Sequence, residues 1–218
     1  DYSLTPIIGD DGQVAGVFNQ GREMTQRVLQ GRRDRFLATL DDDLRHATSV
    51  DAILEAGLSL IGTTLDVGLV GFAEIDDAAG EVDVLRCWTN GMADISGRYP
   101  LGTFGKQLSD RLRAGEVVRI NALDDSVVVA DGTAGRFRAG GMESGMVASL
   151  LSGGDYMAGL FVEHPNPRHW TDSEAEMVSR ALQRLWRDLA RARAEAALRD
   201  SEERHRLIFE QAHDVMLT

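Results

Sequence analysis

Two hydrophobic rhythms alternate along this chain, and the places where one gives way to the other mark its elements. Residues 4–8 and 14–18 are short apolar runs around the turn GDDGQ, where Gly12 can take a positive φ, so a β-hairpin is predicted. A lone hairpin is marginal in water, and its partner strands are expected upstream. From Glu23-Met24-Thr25 onward helical spacing takes over, with Phe36, Leu37, Leu40, Leu44 and Ala47 on one side of a stalk-like helix. Ser49 then reads as the N-cap of a second helix striped by Ile53, Leu54, Leu58, Ile61 and Leu65. The rhythm changes at residues 66–75 (DVGLVGFAEI) and 81–88 (EVDVLRCW), which flank the turn DDAAG and predict an antiparallel strand pair. Residues 90–105 read as a Gly-rich loop with Pro100 that delivers Phe104 into a short helix carrying Leu108 and Leu112. A third strand (117–120), a polar loop (124–132), a short helix (133–139) stopped at Gly140-Gly141, and a closing hairpin (146–151 and 157–163) complete the sheet pattern.

Thr171 followed by Glu174 makes a capping box, and no breaker interrupts the helix from there to about Ala212. Such a helix is roughly 60 Å long at 1.5 Å per residue. After Val178, the positions Leu182, Leu185, Leu189, Ala192 and Ala196 alternate four and three apart, the a/d seam of a coiled coil that would hold a homodimer along this helix; the competing reading, strongest up to Leu189, is a single amphipathic helix packed on its own domain. A second phase, Leu198, Ser201, His205 and Ile208, is offset from the first and predicts a register shift at a domain boundary. Residues 201–209 read as the opening of a further domain, and the chain starts at Asp1 already in a strand pattern. The expectation is an internal piece of a longer polypeptide.

Composition narrows the field. With 218 residues and 43% hydrophobic content the chain can bury a sizeable core, and no apolar run approaches the roughly 18–20 residues of a membrane span. No membrane contact by this segment is expected. A formal charge of −12 opposes a nucleic-acid groove, which needs a basic stripe. All basic residues except Lys106 are arginine, read here as a GC-rich bacterial coding bias. The single Cys87 rules out an intrachain disulfide and a CxxC site, which fits a reducing cytoplasm.

The segment YMAGLFVEHPNPRHWTDSEAEMVSRALQRLWRDLARAR carries a resemblance. Its Ala158-Gly159 pair, apolar strand 160–162, Pro167 to Thr171 turn and acidic helix start (172–176) resemble the last strand and exit helix of GAF domains from bacterial sensor histidine kinases. With the preceding elements the resemblance spans about residues 35–191. Residues 1 to about 30 resemble the closing strands of a PAS domain through Pro6-Ile7, Asp11-Gly12, Gly16-Val17 and Glu23-Met24-Thr25. Residues 200–218 resemble the first helix of another through Ser201-Glu202-Glu203-Arg204 and 207–209. The implied division is a partial PAS domain (1–24), a linker and lead-in helix (25–48), a GAF core (49–191), and a coiled-coil linker entering a second partial PAS domain (192–218). The implied fold class is α+β, the profilin-like GAF fold. It has about six antiparallel strands flanked by helices, long lead-in and exit helices, and a small-molecule pocket between the sheet and the middle helices.

Each ligand chemistry that the resemblance brings with it can be checked against residues. Covalent bilin attachment needs an exposed cysteine, whereas Cys87 alternates with Leu85 inside a strand and reads as buried. The Asn-Lys motif of cyclic-nucleotide-binding members is absent, since Lys106 follows Gly105. Haem needs an inward imidazole; His164 is the best placed, and it sits at a strand end beside Pro165, where a turn hydrogen bond is the simpler reading. No cofactor and no metal are predicted, and neither covalent bilin nor haem is expected. The candidate pocket is Trp88, Tyr99, Phe104, Arg119 and Met146, with an unidentified small molecule as ligand. The competing reading has these aromatics filling the core and Arg119 pairing with Asp94 or Asp110. No catalytic constellation appears, there being no G-x-S-x-G elbow and no His organised around the cysteine. The expected function is a sensory or relay module of a two-component sensor histidine kinase, with the kinase domain downstream in the same chain. A ligand-free dimerisation spacer and the sensor of a diguanylate cyclase are the alternatives.

Overall fold

The structure, a computed structural model, describes residues 2–8, 13–21, 25–125 and 132–216. It divides into two compact units, Asp1–Phe36 and Leu37–Thr218. The expected turn residues Asp10, Asp11 and Gly12, the Glu23-Met24 helix start and most of the polar loop at 126–131 lie outside the described residues. In the first unit β1 (Tyr2–Ile8) pairs antiparallel with β2 (Val14–Gly21), Tyr2 standing opposite Gly21. Helix α1 (Thr25–His46) follows.

The second unit takes in the end of α1 and then α2 (Val50–Leu65), capped as its sequence dictates. The Ala52 N–H donates to the Ser49 hydroxyl at 3.2 Å, and Asp66 closes the helix in the left-handed region at φ 52°. Its stripe of Ile53, Leu54, Leu58, Ile61 and Leu65 is wholly buried. Each such side chain contributes about 1.5–3 kcal/mol of burial. Six antiparallel strands then form one sheet in the order β5-β4-β3-β8-β7-β6. They are β3 (Leu69–Asp76), β4 (Glu81–Thr89), β5 (Gly97–Pro100), β6 (Val118–Ile120), β7 (Ser144–Ser152) and β8 (Asp155–His164). The stretch read as a loop at 90–105 contains β5 and a 3-10 turn, Leu101–Phe104; a four-residue edge strand leaves almost no periodic signal.

Helices α2 and α5 (Asp172–Met216) cover one face of the sheet. The opposite face meets α3 (Lys106–Arg113) and α4 (Ala134–Ala139), with the 3-10 turn beside them. Close approach on the first face depends on glycine. A Cβ at Gly57 would overlap Leu185, and one at Gly62 would overlap the Trp88 ring.

The expected capping box forms at the start of α5: the Thr171 N–H donates to Glu174 Oε2 at 2.8 Å, and the Glu174 N–H returns to Thr171 Oγ1 at 3.3 Å. Arg168 ties this corner to α2, donating to the Leu65 carbonyl at 2.7 Å, pairing with Glu174, and lying 4.4 Å from the centre of the buried Trp170 ring. Of the two readings of this stripe the structure follows packing on the chain's own domain, which corrects Leu182, Leu185, Leu189 and Ala192 as a dimer seam. Leu182, Leu185, Leu189 and Ala192 are 0–5% exposed within this single chain, packed in its own core, and of the five only Ala196 is on the surface. The four-and-three spacing reports an apolar stripe without saying what covers it; here the sheet and α2 do. Of the expected second phase, Leu198 is 60% exposed, while Ile208 lies outside the side chains described.

Candidate functional site

The side of the sheet away from α2 and α5 holds an apolar cavity of about 70 Å³. Ala73, Ile75, Val82 and Val84 supply its sheet wall, and Leu108 and Leu112 of α3, Phe104 and Phe137 its cover. The aromatic cover is interlocked: Tyr99 meets Phe104 edge-on at 5.9 Å between centroids, and Phe104 lies 6.4 Å from Phe137. The Tyr99 hydroxyl donates to the Ile95 carbonyl at 2.8 Å, which fixes the ring at the cavity margin.

Of the five residues expected at the pocket, Phe104 and Met146 line the cavity and Tyr99 packs against its cluster. Trp88 and Arg119 are elsewhere. A β-bulge between Phe72 and Ala73 pairs Ala73 with Val84 but Phe72 with Arg86, so Leu85 is the extra residue. Simple alternation would put Val84 and Trp88 on one face. The bulge reverses the phase and sends Trp88 against Gly62 of α2, together with Arg86, which pairs with Glu55 of the same helix. Arg119 stands opposite Met146 in β6 and pairs with Asp172 at 2.7 Å, rather than with Asp94 or Asp110.

The same phase change places Cys87 against the cavity cluster, half-buried. Burial pushes its thiol up to about 11, so at neutral pH it is a protonated, weakly nucleophilic group. His164 does not line the cavity; its Nδ1 accepts the Asn166 N–H at 3.1 Å, the turn hydrogen bond weighed from the sequence. Among the described residues no group of three His, Cys, Asp or Glu could hold a metal ion, and no helix is long and apolar enough to cross a membrane.

Three polar side chains stand in the wall. The Ser109 hydroxyl donates to the Gly105 carbonyl at 2.9 Å. Tyr156 is buried, which pushes its hydroxyl pKa upward, and it lies near the Arg113–Asp77 ion pair. The third is Glu163, only 8% exposed and pushed by burial to a pKa of about 7. In the sequence it is only the end of a predicted strand. The signal was there, because Gly159, Phe161 and Glu163 alternate onto one face and a lone acid in an apolar run needs a reason.

No family profile matches the chain, and no curated protein matches it. Solved structures do. A phycoerythrobilin-bound GAF domain from a cyanobacterial phytochrome is similar over 77% of this chain and 99% of its own, at 15% identity and a TM-score of 0.64. A far-red-absorbing dark-state protein with bound biliverdin covers 74% of this chain and 99% of its own, at 11% identity and a TM-score of 0.62. The GAF domain of a phosphoenolpyruvate-protein phosphotransferase from Coxiella burnetii covers 77% and 98%, at 14% identity and a TM-score of 0.59. The fold is therefore the GAF fold, an α+β six-stranded antiparallel sheet with helices on both faces.

These neighbours correct one expectation. The sequence predicts no cofactor and, from the placement of Cys87, no covalent bilin; yet two of these three similar structures hold bilins. A cysteine argument bears only on covalent attachment. It says nothing about whether the fold accepts a tetrapyrrole.

Proposed function

We propose that this chain is a sensory or relay module of a bacterial two-component sensor histidine kinase. In this reading it is cytoplasmic, non-catalytic and homodimeric, and it works on a kinase domain downstream. The observation that supports it most is the shared sheet: β7 and β8 wall the cavity on one face and carry α5 on the other. A molecule that prefers one of two sheet arrangements would shift the population between them and move the exit helix. The dimer contact in this reading falls on the exposed part of α5 beyond Ala192, with Ala196 and Leu198 on its surface.

The neighbours' bilins make tetrapyrroles a ligand class to test. The apolar wall and the buried carboxylate suit such a molecule in kind. In size they do not, since the cavity of about 70 Å³ is several-fold below the roughly 300–1,000 Å³ that larger ligands fill. A whole chromophore would have to displace cover residues such as Phe104 and Phe137, and the cavity as it stands fits a smaller molecule.

Native mass spectrometry after incubation with biliverdin and with small apolar compounds tests occupancy, and hydrogen exchange tests relay. The reading expects added mass together with altered exchange in β7, β8 and α5. Binding that leaves α5 unchanged would refute the relay, and a chain that takes up nothing and stays monomeric would refute the sensor.

A further inference from the structure

Glu163 is the one charged side chain in the cavity lining, and among the described residues nothing pairs with it. Its register partners are Leu69 on β3 and Gly145 on β7, an apolar side chain and none at all. Phe161, two residues back on the same face, is apolar too. Met142 closes over Gly145 so tightly that a Cβ there would come within 2.7 Å of its methyl carbon. The adjacent His164 is engaged with Asn166 in the turn. Among the described residues no hydrogen bond or ion pair reaches the Glu163 carboxylate, and burial is the sole cause of its raised pKa. An unpaired carboxylate in an apolar wall is costly, and a cation or a strong donor entering the space beside it would offset that cost.

We propose that the cavity takes a small organic ammonium ion, its apolar body against Val84, Leu108 and Phe137 and its protonated nitrogen at the Glu163 carboxylate. This deepens the sensory reading and rests on it. The cavity sets the size. At about 70 Å³ it has less than half of the ~150 Å³ that admits benzene, so the ligand is an amine of about four or five heavy atoms. Charge sets the class: a carboxylate with no basic neighbour repels organic anions and discriminates poorly among neutral molecules. A net charge of −12 also raises the local concentration of cations.

The test titrates the purified chain at pH 8 with isobutylamine hydrochloride and, separately, with isobutanol at matched ionic strength. Binding is followed by NMR at the amides of Gly145, Phe161 and Glu163 and at the Glu163 carboxyl carbon. The expected result is saturable binding of the amine at least tenfold tighter than the alcohol, with the carboxyl resonance moving only for the amine. In Glu163→Gln the preference should vanish while the alcohol still binds. The carboxyl resonance makes the test independent of how well the variant folds. Equal affinity for amine and alcohol in the unaltered chain, or an amine preference that survives Glu163→Gln, overturns the ammonium site and leaves the sensory reading standing. If neither compound binds, the ammonium site falls; if in addition biliverdin and the apolar compounds add no mass and the chain stays monomeric, the sensory reading falls with it.

Discussion

Replacing Glu163 by Gln should make the protein more stable at alkaline pH and flatten part of its pH dependence. The carboxyl's pKa rises from an ordinary 4.5 to about 7 because the folded state buries it. Folding therefore favours the protonated form. Its stability contribution is complete below about pH 4.5 and is lost as pH rises through 7, where the folded state must ionise a buried group. At about 1.4 kcal/mol per pH unit, the rise is worth about 3 kcal/mol across that window. Glutamine keeps the shape of the protonated acid and does not titrate. Urea unfolding of dialysed protein at half-unit steps from pH 4.5 to 8.5 isolates this contribution, because slopes from all other groups cancel in the difference between the two proteins. The expected difference is small at pH 4.5 and grows to about 3 kcal/mol in favour of Glu163→Gln by pH 8. Parallel curves would refute the reasoning, since they would mean that Glu163 is solvated or paired in the folded state.

Further outcomes follow from the packing. Leu189→Glu should unfold or strongly destabilise the unit, read as collapse of the circular dichroism melt, because Leu189 is wholly buried within the chain; a folded variant altered only in oligomeric mass would restore the seam reading. Gly62→Val should cost on the order of 1–3 kcal/mol in urea unfolding through its overlap with Trp88, and the double variant Gly62→Val/Trp88→Leu should recover part of it. Ser49→Ala should lower stability by about 1 kcal/mol in the same assay by freeing the Ala52 N–H. Cys87 should react slowly with a maleimide at pH 7, its thiol being held up to about 11, and denaturant should speed the reaction markedly.

What the sequence determined by itself was local. The α2 stripe, its Ser49 cap, the Thr171–Glu174 box and the closing hairpin depend on neighbours a few residues apart, and each is found where its pattern predicts. The GAF-like order of these elements was legible for the same reason. Tertiary structure decided which face each side chain serves. One inserted residue at Leu85 moved Trp88 from the expected pocket to the helix layer, a register change that alternation cannot reveal. The apolar spacing of Leu182, Leu185 and Leu189 fits a partner helix or the chain's own sheet equally well, and only packing chooses the sheet. Glu163 was silent for a related reason. A carboxylate's chemistry depends on what surrounds it, and Leu69 joins Gly145 and Phe161 around it only when β3 is laid against the β7–β8 hairpin, far along the chain.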